Sequence, residues 1–212
     1  NIYSLDKNYD RSWSMPESKL RNKLLSVINI NNVHQYWEER LKGNSNYEDA
    51  NVSINLNSNN NYTSDNYILL HIFRDSPFNV LDQDRIFIDY YEWVIETLKI
   101  LNNTDEKWTL RTHPNCKRWG ENSHTILKLI MSKLQKENYS LNNINIELDQ
   151  ISNLKLFSKA KKIVTFSGTS HLEAACFGIK PIVISKCTLT DFDNLYLKPK
   201  NLEEYKNFLL TK

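Results

Sequence analysis

The chain has 212 residues, with 27 basic against 25 acidic side chains and a net charge of +2. That balance removes the electrostatic argument for nucleic acid or an anionic membrane surface as a partner, while 40% hydrophobic and 11% aromatic residues suffice for one sizeable core. No apolar run reaches the roughly 18 residues a spanning helix needs, no signal peptide is visible, and three cysteines, Cys116, Cys176 and Cys187, fit no CxxC spacing.

A reduced cytosolic compartment is the simplest expectation, with Cys176 and Cys187 as small core residues. The 28 asparagines read as the codon bias of an AT-rich genome, and the Asn-x-Ser/Thr triplets at Asn51, Asn61, Asn102 and Asn138 follow from it.

In chain order, residues 1–43 predict a helical amino-terminal segment. Ser14-Met15-Pro16-Glu17 resembles a helix start. Leu20, Leu24, Leu25, Val27 and Ile28 supply an apolar stripe, and a second short helix runs from Val33 to Lys42 and stops at Gly43. Residues 44–66 hold nine asparagines and little periodicity, the pattern of a linker or long loop. The folded domain is expected over 67–212.

Within that domain strands and helices alternate. Strands are predicted over 67–73, 107–111, 144–146, 162–166 and 181–184. Helices are predicted over 86–101, 123–136 (Ser123 as the N-cap), 151–160, 170–177 and 202–210. The alternation predicts an α/β fold: a Rossmann-like parallel sheet flanked by helices on both faces. Ligands of such sheets bind beyond the carboxyl ends of the strands. The loops to inspect are those after Phe73, Arg111 and Phe166.

The third of these reads Ser167-Gly168-Thr169-Ser170, in a chain with only four glycines. Ser170 and Glu173 fit a capping box. Gly168 beside three hydroxyls fits a close backbone approach to a phosphate at a helix start. The second loop offers Arg111 and His113-Pro114. A histidine there is either a packed residue or a donor to a phosphate oxygen. Asp75, past the first strand, is either a turn former or a carboxylate facing a reaction centre. His71 falls inside the predicted strand and reads as structural. Asp82-Gln83-Asp84 and Asp191-Phe192-Asp193 abut no second ligand cluster, so no metal is expected. The aromatic residues Tyr90, Tyr91, Trp93 and Trp108 serve either the core or an interface.

The order "LLHIFRDSPF", "DYYEWVIETLKIL", "WTLRTHPN", then "VTFSGTSHLEAACFGIKPIVIS" resembles bacterial capsule and surface-polysaccharide glycosyltransferases of GT-B fold, the capsular polysaccharide synthesis proteins and related Kdo (3-deoxy-manno-octulosonic acid) transferases. The resemblance covers about residues 67 to 187, and its most specific part is the strand, S-G-T-x-x-x-E and G-x-x-P series. It implies a carboxyl-terminal nucleotide-binding domain acting on a nucleotide-sugar donor, CMP-linked such as CMP-Kdo, with a glycan or glycolipid acceptor. It further implies that His113-Pro114 and Ser167 with Thr169 or Ser170 meet the CMP phosphate, and that Glu173 faces the ribose. Arg111 and Gly168 join this nucleotide set, and Asp75 and His113 are the catalytic candidates. No cofactor or metal is implied. Because GT-B enzymes use two Rossmann-like domains and this chain shows one, it is expected to be the carboxyl-terminal half of a larger enzyme, cytoplasmic or at the inner face of the membrane. The alternatives are a sugar-nucleotide epimerase or hydrolase on the same fold, or a non-catalytic binding module.

Overall fold

In a computed structural model, the structure describes residues 29–41, 65–74, 85–147, 156–185 and 194–211. The expected helix of residues 14–28, most of the Asn-rich stretch, Asp75, both Asp-x-Asp motifs, Cys187 and residues 151–155 of the expected helix over 151–160 lie outside them.

Helix α1 (Ile30–Leu41) begins three residues before the expected one. Asn29 accounts for this: its side chain accepts the amide of Asn31 at 3.0 Å. The domain then runs β1 (Asn66–Leu69), α2 (Tyr90–Leu101), β2 (Trp108–Arg111), α3 (Ser123–Lys136), β3 (Ile144–Glu147), β4 (Lys162–Thr165), α4 (Ser170–Cys176), β5 (Ile182–Val183) and α5 (Leu202–Leu210). The five strands among the described residues are all parallel, in the order β3-β2-β1-β4-β5. This is the Rossmann-like α/β arrangement that the alternation predicts.

The pleat divides the core in two. Ile68, Trp108, Leu110, Ile144, Val164 and Ile182 face one way, onto α2, α3 and α5. Tyr67, Leu69 and Ile163 face the other way, onto Leu156, Phe157 and Ala174 of α4. Tyr90, Trp93 and Trp108 are wholly buried, so three of the four aromatic residues above serve the core; Tyr91 alone is partly exposed.

Caps set the helix ends. Asp89 accepts the amide of Glu92 at 2.8 Å, and the Glu92 carboxylate takes the amide of Ile88. That reciprocal pair starts α2 four residues later than the predicted 86. Asn122, not Ser123, caps α3, accepting the amide of Thr125 at 3.1 Å. Asn201 caps α5 through the amide of Glu204 at 2.9 Å.

The amino edge of the sheet is closed by polar ties. Lys162 donates to Glu106 at 3.0 Å and to the carbonyl of Leu209 at 2.8 Å. Asn66 donates to the carbonyl of Lys107 at 3.2 Å. Asn143 donates to the carbonyls of Leu101, Thr104 and Glu106 at 3.0, 2.8 and 3.0 Å.

A buried triad ties α2 to α5. Trp93 Nε1 donates to Tyr205 Oη at 3.0 Å, and the Thr97 and Tyr205 hydroxyls lie 2.7 Å apart. Burial raises the Tyr205 phenol well above its ordinary range. Replacing Tyr205 by Phe strips the acceptor from a buried indole N–H, which costs about 1–3 kcal/mol. Urea unfolding should show a lower midpoint with an unchanged slope; an unchanged midpoint contradicts the triad's role.

Candidate functional site

Strand order reverses between β1 and β4: β2 and β3 follow on one side of β1, β4 and β5 on the other. At such a reversal the connecting helices leave in opposite directions, and a crevice opens beyond the carboxyl ends of the two strands. The register places Leu69, Arg111, Glu147, Thr165 and Val183 in one lateral row at that edge. The three loops singled out in the sequence therefore do leave from one edge of the sheet.

The β4 loop is built by Gly168. Its φ of +110° is a conformation that L side chains rarely adopt, and nothing lies within 4 Å of where a Cβ would stand. Thr165 Oγ1 donates to the carbonyl of Ser167 at 2.9 Å, holding the descent from the strand. The helix begins at Ser170 with Thr169 as its N-cap, and no side chain caps it. The expected capping box is therefore not formed. The cap position falls one residue before Ser170, which moves Glu173 out of the third helical position that a box requires. Glu173 is only 3% exposed.

His171, which sequence reading passed over, is also buried, and its ring is hydrogen-bonded to the Gly168 backbone. Burial lowers its pKa, with that bond opposing. That bond links the first turn of α4 to the glycine turn.

On the β2 side, Arg111 is the last residue of the strand. Its guanidinium is buried and lies 3.6 Å from the Glu147 carboxylate of β3, on the side of β2 remote from β1. A buried charge needs such a partner. His113 and Pro114 lie half-buried just past the strand end. His113 Nδ1 accepts the amide of Asn115 at 3.2 Å, which fixes the neutral ring's proton on Nε2.

The β1 loop differs most from expectation. The strand ends at Leu69; Leu70 still donates to the carbonyl of Arg111 at 2.9 Å, but the amide of His71 turns to the hydroxyl of buried Tyr90. His71 is therefore outside the strand, half-buried, with its ring centroid 5.5 Å from that of His113.

Glu121 joins the β1 and β2 loops. Its carboxylate accepts the amide of Arg74 at 2.9 Å and the Ser123 hydroxyl, and it lies 3.7 Å from the Cys116 thiol. The Arg74 guanidinium sits 4.4 Å from the ring centre of the exposed Trp119 and donates to its carbonyl at 3.2 Å. Burial raises the Cys116 thiol; the Ser123 hydrogen bond opposes this, and the Glu121 charge adds to it. Cys176, expected in the core, is exposed instead, because the short α4 turns Ala174 rather than Cys176 onto the sheet. Among the described residues no group of three or more His, Cys, Asp or Glu side chains is arranged to hold a metal, and no helix is long and apolar enough to cross a membrane.

No protein-family model and no curated protein matches the chain. Among solved structures, it is similar to the UDP-GlcNAc 2-epimerase of Methanocaldococcus jannaschii in complex with UDP-GlcNAc and UDP: 21% identical, covering 70% of this chain and 40% of that one, TM-score 0.45. It is also similar to KpsC of Thermosulfurimonas dismutans, a beta Kdo 2,4 transferase: 12% identical, covering 91% of this chain and 52% of that one, TM-score 0.49. The chain thus spans about half the length of these proteins or less. With TM-scores below 0.5, these likenesses carry no argument, and the fold and site stand on the chain's own strands and loops.

Two outcomes follow from the buried groups. Glu121→Gln removes the charge that raises the Cys116 thiol, so site-resolved alkylation of Cys116 should shift to lower pH; an unmoved profile contradicts the contact. His171 has a folded pKa below its ordinary 6.5, so the unfolded chain takes up the proton first. Its contribution to stability is complete above that value and is lost as pH falls toward the folded pKa. Denaturation across this range should show a flatter acid limb for His171→Gln, whereas parallel limbs contradict the assignment.

Proposed function

We propose that the chain is the nucleotide-sugar-binding domain of a GT-B-type glycosyltransferase acting in capsule or cell-surface polysaccharide synthesis. The observation that carries the reading is the placement of Ser167–Ser170 and His113 on either side of β1 at the reversal of strand order. That is where an open parallel sheet receives a phosphorylated ligand.

The chemistry needed there is electrostatic. Transfer of a sugar from its nucleotide leaves negative charge on the departing phosphate. The amides of residues 169–171, at the start of a helix whose first turn lacks intrahelical acceptors, supply donors. The hydroxyls of Ser167 and Ser170 add more, and His113 donates from Nε2. Gly168 lets the backbone come close. These groups give a metal-free way to hold the leaving phosphate. Asp75, beyond the described residues, is the proposed carboxylate at the sugar side. The donor proposed is CMP-linked, such as CMP-Kdo, by the resemblance of His113-Pro114 and the Ser/Thr pair to CMP-sugar transferases. By the same resemblance Arg111 and Glu173, both buried, belong to the proposed nucleotide set. The acceptor, a glycan or glycolipid, is assigned to a second Rossmann-like domain, since a GT-B site closes between two.

Calorimetric titration with CMP, UDP and GDP, with and without magnesium, tests this. The expected result is preferential CMP binding that is independent of the metal, weakened about tenfold or more by His113→Ala or Ser167→Ala, as expected for loss of one charge-assisted hydrogen bond. Folded protein that binds none of the three contradicts the reading.

A further inference from the structure

We propose that His71 is a ligand-contact residue, forming with His113 a two-imidazole subsite for a phosphate oxyanion at the end of β1. This rests on the nucleotide-sugar reading and names the group at the centre of its phosphate site.

The first reason is topological. β1 lies between β2 and β4, so His113 and the Ser167–Ser170 loop leave from strands two spacings apart, about 10 Å. A phosphate group that engages both loops has to lie over the end of β1. Of residues 70–73 there, Leu70, Ile72 and Phe73 are buried and apolar. His71 is the polar one, and it is half-buried with part of its surface open.

The second reason is geometry. The His71 and His113 rings are 5.5 Å apart and tilted by 44°, so they are not stacked on each other. Phosphate oxygens accept N–H donors at about 2.8 Å, and one phosphate is wide enough to take a donor from each of two rings at this separation. Phosphate oxyanions offer acceptors on every side, and an imidazole of either tautomer offers one N–H.

The third reason is that the His71 main chain and the His113 ring are held in place beforehand. The amide of His71 donates to Tyr90 Oη. Tyr90 is wedged among Phe73, Trp93 and Phe166 at centroid distances of 5.0, 5.2 and 5.6 Å. His113 is oriented through Nδ1 by the amide of Asn115. Donors fixed in this way lose little freedom when the anion arrives.

The test is side-chain imidazole NMR on the whole chain, titrated separately with CMP and with inorganic phosphate. Calorimetry on His71→Ala and His71→Gln follows, with circular dichroism to confirm the fold. CMP should move the His71 and His113 resonances together. His71→Ala should lose tenfold or more in CMP affinity, and His71→Gln should recover part of it. If CMP moves His113 and the Ser167–Ser170 amides but not His71, the inference fails and the nucleotide reading stands. If inorganic phosphate moves both imidazoles while CMP binds nowhere, the oxyanion subsite stands and the nucleotide reading fails. If neither ligand moves either ring, both fail; because that readout uses the unsubstituted protein, a variant that does not fold cannot obscure it.

Discussion

The reversal of strand order at β1 is the constraint on which the rest depends. Parallel strands need crossover helices. Building β2 and β3 to one side and β4 and β5 to the other sends those helices to opposite faces and leaves the carboxyl edge open between them. The two edges of the sheet are then used differently. At the amino edge Asn66, Glu106, Asn143 and Lys162 spend their polar atoms on one another and on nearby carbonyls. At the carboxyl edge glycine, hydroxyls and imidazoles stand where the backbone ladder stops.

The loops on that edge are long-range constructions. The β4 loop is set by Gly168 in a conformation that disfavours any side chain, and His171 hydrogen-bonds to its backbone. The β1 and β2 loops are joined through Glu121, which takes a backbone amide from one and the Ser123 hydroxyl beyond the other. Fixed donors need little reorganisation when charge develops on a bound group, which is the quality a leaving-phosphate site requires. At the same edge Arg111 is buried against Glu147.

Much of this frame was legible in the chain. The regular alternation of short apolar runs with amphipathic stretches requires a parallel sheet, and a parallel sheet puts its β-to-α loops on one edge. Helix α3 is read to both ends because its periodicity is uninterrupted. The misses have physical causes. His71 sits within the apolar run Tyr67–Phe73, and nothing local shows that its amide leaves the ladder for a tyrosine nineteen residues on. The Glu121 junction and the Arg111–Glu147 pair join residues far apart in sequence, invisible to any local pattern. The capping box failed by one residue because Thr169 takes the cap position. Asparagine content, read as codon bias, conceals particular work at Asn122, Asn143 and Asn201.

The central claim is that the end of β1 receives a phosphate, and a crystal structure of the chain with CMP tests it most directly. Phosphate density is expected over the end of β1, between His113 and the Ser167–Ser170 loop, with Gly168 in van der Waals contact. A nucleotide seated elsewhere, with that edge occupied only by water, would contradict it.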